Sequence, residues 1–317
     1  MKMPNFLIIG AAKAGTTALY FMLNQHPEIY MSPMKETNFF ALEGKTLNFK
    51  GLHGLPDGVN NISVTKIEDY QALFEFVPDR IKAIGEASPS YLYLPETPKR
   101  IKHHIPNPKL IVILRNPAER AYSAFVFKSW KGEEPFLDFA EALTQEDQRI
   151  KDNWTWGWHY KNMGFYYEQL SRYFNEFDRS QIMVCLHEDL QKRPQETLQS
   201  IYDFLEVDRS FVADSDTRYH STGGLPKNKY LHSLVTKSME TAQSMKVVLK
   251  PLIPKNLRLP LFYLLNDVRR SNSQKQPLPL EIRKQLISAY HDDILNLQEL
   301  IQRDLESWLK IEEASLV

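Results

Sequence analysis

The sequence predicts an α/β fold: a three-layer sandwich in which a mostly parallel sheet is flanked by helices. Three observations predict it. Unbroken apolar runs at residues 6–9, 110–114 and 182–186 have the length of strands. They lack the alternation of a half-exposed sheet, as strands buried on both faces do. Helical patterns lie between the runs, and strands alternating with helices build a parallel sheet covered on both sides. The first run ends in a loop of small residues, Gly10 to Gly15, that opens into a helix.

That strand, loop and helix form a phosphate cradle. A helix start leaves backbone N–H groups unpaired, and its dipole places partial positive charge there. Ala12, Ala14 and Gly15 let the backbone approach an anion, Thr16 and Thr17 supply hydroxyl donors, and Lys13 adds a full charge. The spacing is P-loop-like, close to G-x-x-x-x-G-K-[ST], but Thr16 stands where that pattern carries lysine. A nucleoside triphosphatase also needs an acid at the end of a neighbouring strand to help hold Mg²⁺. The run at 110–114 ends in Arg115 instead. The cradle therefore suits a phosphate ligand handled without metal, and a P-loop nucleotide or sugar kinase is the rival reading.

Residues 10–19, GAAKAGTTAL, together with residues 114–123, LRNPAERAYS, resemble the PAPS-dependent sulfotransferases, with features of the bacterial branch and of the heparan-type domain. The resemblance implies that the first motif grips the 5′-phosphosulfate end of 3′-phosphoadenosine-5′-phosphosulfate (PAPS), and that the second grips its 3′-phosphate. It covers residues 5 to about 310, so 1–317 are expected to form one domain. Within it a nucleotide-binding core spans about 5–210, a cofactor lid about 218–230 and C-terminal helices about 231–312.

Composition bounds the rest. With 317 residues and 43% hydrophobic content, a sizeable core is available. Thirty-nine basic and 39 acidic residues cancel, which argues against wholesale nucleic-acid or membrane binding. A single cysteine, Cys185, excludes an internal disulfide and fits a reducing compartment. No run of 18 apolar residues exists, and the first strand starts about five residues from Met1. A cytoplasmic protein without a membrane span is expected.

In chain order, residues 29–31 read as a short strand, followed by Lys35-Glu36-Thr37-Asn38-Phe39-Phe40. This resembles the K-E-x-x-F-F segment of heparan-type sulfotransferases, which implies that Glu36 is the catalytic base. Phe39 and Phe40 are expected to shield Glu36, and Lys35 to point away from it. His53, in a glycine-containing loop, and His159 are reserve bases. A helix is expected over 68–76 and a strand over 81–84. The segment at 85–91, GEASPSY, resembles the family's G-E-x-[ST]-P-x-Y element, with Ala87 where heparan-type members often have lysine; Glu86 has no assigned role. A helix at 98–104 precedes the strand at 109–114. Arg115 ends that strand, and Asn116-Pro117 opens a helix on which Arg120, Ser123 and Phe127 recur at helical spacing. Arg115 and Ser123 can converge on one anion, and guanidinium suits phosphate because its planar fork donates in pairs.

Trp154, Trp156 and Trp158 form either a core edge or a stacking wall for a substrate. Helices are expected from 164 to 177 and over 195–205, with a strand at 181–186 between them. Residues 221–229, STGGLPKNK, make a second cationic glycine loop. The resemblance implies that it closes over the nucleotide, which makes Gly223, Gly224 and Lys227 lid residues. Helices are expected over 231–250 and 280–309, and the ending RDLESWL resembles the bacterial branch's R-D-L-x-x-W-L. The resemblance implies metal-free sulfuryl transfer from PAPS, leaving PAP, to an acceptor hydroxyl on a carbohydrate, lipid alcohol or small molecule. A β-hydroxyacyl chain on a carrier protein is the alternative acceptor.

Overall fold

The computed structural model describes residues 2–214, 223–228, 230–232, 234–236 and 265–311. Five strands form the central sheet: β1 (Phe6–Gly10), β2 (Ile29–Met31), β3 (Ala83–Ala87), β4 (Lys109–Leu114) and β5 (Ile182–Leu186). Their order is β2-β3-β1-β4-β5, and every pairing is parallel. All of β1 is buried, as is β4 after Lys109, which is why both read as unbroken apolar runs.

From β1 the chain builds β2 and β3 on one side, then crosses to lay β4 and β5 on the other. The order reverses between β1 and β4. The loop carrying Lys13 leaves the carboxyl end of β1, and Arg115 follows β4. Open α/β sheets take ligands in the crevice outside such a switch point.

The third strand runs further than expected. It continues through Gly85 to Ala87, past the expected end at Ile84. Gly85 pairs with Phe6, and a Cβ there would stand 2.1 Å from the Phe6 ring. The glycine makes room for a ring in mid-strand.

The longer helices are α1 (Thr16–Leu23), α2 (Pro117–Trp130), α3 (Tyr166–Phe174), α4 (Pro194–Leu205) and α5 (Leu280–Ile301). The Asn116 side chain caps α2 by accepting the N–H groups of Ala118 and Glu119, and Pro117 occupies its first turn. Helix α5 packs on α2 and α3. It ends at Gln302 in a left-handed turn, so the expected helix over 280–309 is two, the second being Glu306–Leu309. Trp308 of that short helix donates its indole N–H to Glu188 (3.0 Å) and accepts Asn116 Nδ2 on its carbonyl (3.1 Å). Arg303 donates to Asp189 at 2.9 Å. The C-terminal motif thus ties together the chain after β4 and the chain after β5.

Part of the expected lid, 218–222 and 229, and the stretch 237–264 of the C-terminal region lie outside the described residues. What is described of the lid forms a small antiparallel ladder, β6 (Leu225–Pro226) on β7 (Ser273–Gln274). Among the described residues no helix is long and apolar enough to cross a membrane. Cys185 lies buried in β5, and burial pushes its thiol up to about 12.

Candidate active site

The cradle is fixed from both sides. Ala11 N–H donates to the Ile113 carbonyl of β4 at 2.6 Å, and Ala14 N–H donates to Ala11 at 3.2 Å. Gly15 is the N-cap of α1 at φ 106, a left-handed conformation, and no side chain caps the helix. The first-turn N–H groups, those of Thr16 and Thr17 among them, therefore face the crevice without an internal side-chain acceptor. His187, just after β5, bonds the Ala14 carbonyl through Nδ1 at 2.9 Å. Burial, with Arg115 adding, pushes its pKa down to about 4, so a neutral ring donates Nδ1–H to the loop. A Cβ on Gly15 would lie 3.2 Å from that nitrogen.

Lys13 turns through φ 69 and lays its ammonium 3.9 Å from the Phe127 ring centroid on α2. Burial lowers its pKa to about 8; Arg115, Lys35 and Arg120 push the same way, and Glu36 opposes them. These charges are therefore close enough to act on one another. Arg115 donates to the Lys13 carbonyl at 3.3 Å and stands 3.8 Å from Glu119. Burial pulls the Arg115 guanidinium below its usual range. Arg120, wholly buried, donates Nη2 to the Tyr160 carbonyl, while its Nε and Nη1 find no partner among the described residues. Ser123 is half-buried and falls between Arg120 and Phe127 on the α2 face that meets Lys13.

Glu36 enters this group by a route the sequence does not reveal. Its backbone is left-handed (φ 62), and its N–H donates to the Ala87 carbonyl at 2.9 Å. The turn brings neighbouring side chains together, so the Lys35 ammonium contacts the Glu36 carboxylate. The Glu36 side chain is 51% exposed. Phe39 and Phe40 turn into the core instead of covering it, with Phe39 stacked on Tyr70 at 4.4 Å. The expected aromatic shield is absent because Asn38, also left-handed at φ 54, redirects the chain into the helix Phe39–Leu42.

The two reserve histidines differ. His53 is exposed in a short loop turn. His159 is buried, with Nδ1 bonded to the Tyr93 hydroxyl (2.9 Å) and Nε2 to the Trp154 carbonyl (3.2 Å). Burial pushes its pKa down to about 4. The tryptophans divide: Trp158 is core, whereas Trp154 and Trp156, with Tyr93, Glu168 and Arg172, line a cleft of about 430 Å³.

The glycines of the expected lid meet close neighbours. A Cβ on Gly223 would press on the Trp130 indole at 2.3 Å, and one on Gly224 would meet the Gln274 carbonyl oxygen at 1.9 Å. Trp130 lies one helical turn beyond Phe127, which places these glycines near the end of the helix that carries Lys13's ring partner. Lys227 is exposed and donates Nζ to the Ser271 carbonyl at 3.0 Å.

Comparison with known proteins decides the family. The sulfotransferase domain family matches residues 3–247. The chain belongs to the sulfotransferase family. It is therefore a transferase. A sulfotransferase from Alicyclobacillus acidocaldarius superposes with a TM-score of 0.74 at 28% identity, over 98% of this chain and 100% of that one. The membrane-associated sulfotransferase kil1 of Dictyostelium discoideum is 25% identical over 287 residues, covering 65% of this chain. The bifunctional heparan sulfate N-deacetylase/N-sulfotransferase 4 of Mus musculus is 30% identical over 210 residues, also 65% of this chain. This sulfotransferase spans 56% and 22% of those two proteins. Sequence reasoning missed His187, whose signal was its place directly after a buried strand.

Proposed function

We propose that this sulfotransferase moves the sulfuryl group of PAPS to an acceptor hydroxyl by in-line transfer without a metal. The observation that carries the reading is the convergence of Lys13 and Arg115 with an uncapped helix start at the β1/β4 switch point. Those residues fit a nucleotide with phosphates at both ends of its ribose. A side chain at Gly15 would intrude on the loop, and the local excess of cations is unbalanced until an anion arrives.

PAPS, when bound, supplies an activated sulfuryl group on its 5′-phosphate. Thr16, Thr17 and the loop N–H groups of Ala12, Ala14 and Gly15 hold that phosphate. Lys13 neutralises charge that builds on the leaving side during transfer. Arg115 and Ser123 take the 3′-phosphate, and Gly223, Gly224 and Lys227 cover the nucleotide. Glu36 accepts the proton of the acceptor hydroxyl. Little covalent work is left to the protein, so its task is positioning and charge stabilisation. Carbohydrate acceptors are favoured: relatives include a heparan sulfate N-sulfotransferase and a human carbohydrate sulfotransferase 28% identical over 253 residues. The cleft walled by Trp154 and Trp156 suits sugar rings, whose C–H faces pack on indoles. Incubating the enzyme with radiolabelled PAPS and a panel of glycan, lipid-alcohol and hydroxyacyl-carrier acceptors tests the reading. Absence of transfer to every member would overturn it.

Arg115→Ala should weaken binding of PAP far more than binding of adenosine 5′-phosphosulfate, which lacks the 3′-phosphate. A buried charge-paired hydrogen bond that is truncated costs roughly 2–5 kcal/mol. Equal losses for both ligands in calorimetry would show that Arg115 does not read the 3′-phosphate.

Transfer should also persist in excess EDTA. Arg115, not an acid, follows β4 beside the cradle, and among the described residues no group of three His, Cys, Asp or Glu side chains is placed to hold a metal ion. Activity abolished by chelator and restored by Mg²⁺ would support the kinase reading instead.

A further inference from the structure

Glu86, next to last in β3, is a wholly buried acid that the transfer chemistry does not use. It pairs with Leu7 of β1, beneath the cradle. The Ser88 hydroxyl donates to its Oε1 at 2.5 Å, and the Thr37 and Tyr91 hydroxyls face the same carboxyl. Oε2 has no hydrogen-bond partner among the described residues.

Ser88 is used twice. While donating to Glu86, its oxygen accepts the Asn38 N–H at 3.0 Å. Asn38 Nδ2 in turn donates to the Glu36 carbonyl at 3.0 Å, and Ser90 donates to Asn38 Oδ1 at 2.6 Å. Glu36 and Asn38 are both left-handed, a conformation that ordinary side chains keep only where the surroundings hold it. We infer that Glu86 is a positioning residue: through Ser88 and Asn38 it holds the Glu36 loop so that the Glu36 carboxylate stays beside Lys13. The inference rests on the reading of Glu36 as the base.

Burial raises the Glu86 pKa to about 7, although the Ser88 hydrogen bond, the nearby Tyr91 and Thr37 hydroxyls and the charge of Lys35 oppose it. The titratable groups that face it are Lys35 of the loop, Tyr20 of α1, Tyr70 of the helix Ile67–Ala72, and Tyr91. The three phenols are raised and stay neutral, so Lys35 is the nearby charge. The carboxylate forms as pH rises through about 7, and a charged acceptor holds the Ser88 hydroxyl more strongly.

The test is kcat/KM against pH for the unmodified enzyme, Glu86→Gln, Glu36→Gln, the double variant and Ser88→Ala, with PAP affinity measured on each. Glu86→Gln keeps the shape and should lower kcat about tenfold or more, as loss of a hydrogen bond to a charged group does. PAP affinity should be unchanged, and the rise in kcat/KM near pH 7 should vanish. Ser88→Ala should lower kcat similarly, and it decides the matter alone if Glu86→Gln does not fold. In the Glu36→Gln background, Glu86→Gln should add nothing, because it acts through Glu36. A folded Glu86→Gln enzyme with unaltered kcat and the same rise near pH 7, or additive losses in the double variant, overturns the inference. Full activity of Glu36→Gln alone would instead sink the assignment of the base.

Discussion

Glu36→Gln is expected to lower kcat by about 10²–10⁴ while leaving PAP affinity nearly unchanged. An alcohol must shed its proton as the S–O bond forms, so a carboxylate within reach of that proton is needed. Glu36 is held in the cation cluster by its left-handed turn, its Ala87 hydrogen bond and its contact with Lys35, yet its side chain stays about half exposed. An acceptor can therefore reach it. The amide of Gln keeps that shape and removes basicity, so a folded but slow enzyme is the informative result. Steady-state kinetics with calorimetry of PAP binding separates loss of chemistry from loss of the cofactor site. If turnover is retained, His53 becomes the next base to test, because both nitrogens of His159 are already engaged.

Lys13→Ala should cost about 10²–10³ in turnover, the usual effect of removing a charge partner of the transition state. The fold should survive, since the loop is made of small residues and its anchors are backbone contacts to Ile113 and the His187 ring. Near wild-type turnover in a folded Lys13→Ala protein would remove this residue from the mechanism.

A linked pH effect identifies the same side chain independently. The Lys13 pKa lies near 8 in the ligand-free protein against 10.5 unperturbed. Between those values the unfolded chain holds a proton that the folded protein has released, so this group's contribution to stability rises with pH across that window. An arriving polyanion restores the charged form. PAP binding just above pH 8 should therefore take up protons, seen as a dependence of binding heat on the ionisation enthalpy of the buffer. Lys13→Ala should lose that uptake.

The sequence alone determined the features written within a few neighbouring residues. The strands β1 and β4 read as apolar runs because a strand covered on both faces has no polar side to show, and the partly buried edge strand β5 reads the same way. The cradle was legible because its glycines, hydroxyls and lysine lie on one short loop, and the Asn116-Pro117 helix start because capping is local. The tertiary structure alone decided what depends on distant partners. Gly85 was expected beyond the strand's end and is a strand residue cleared for the Phe6 ring. Glu36 was expected under two phenylalanines, and two left-handed residues instead sent those rings into the core and left its side chain half exposed against Lys35. His187 meets the cradle across 173 residues, and Trp308 meets Asn116 across 192. No local pattern encodes such contacts, because they arise only when the sheet order β2-β3-β1-β4-β5 brings the carboxyl ends of β1, β4 and β5 side by side.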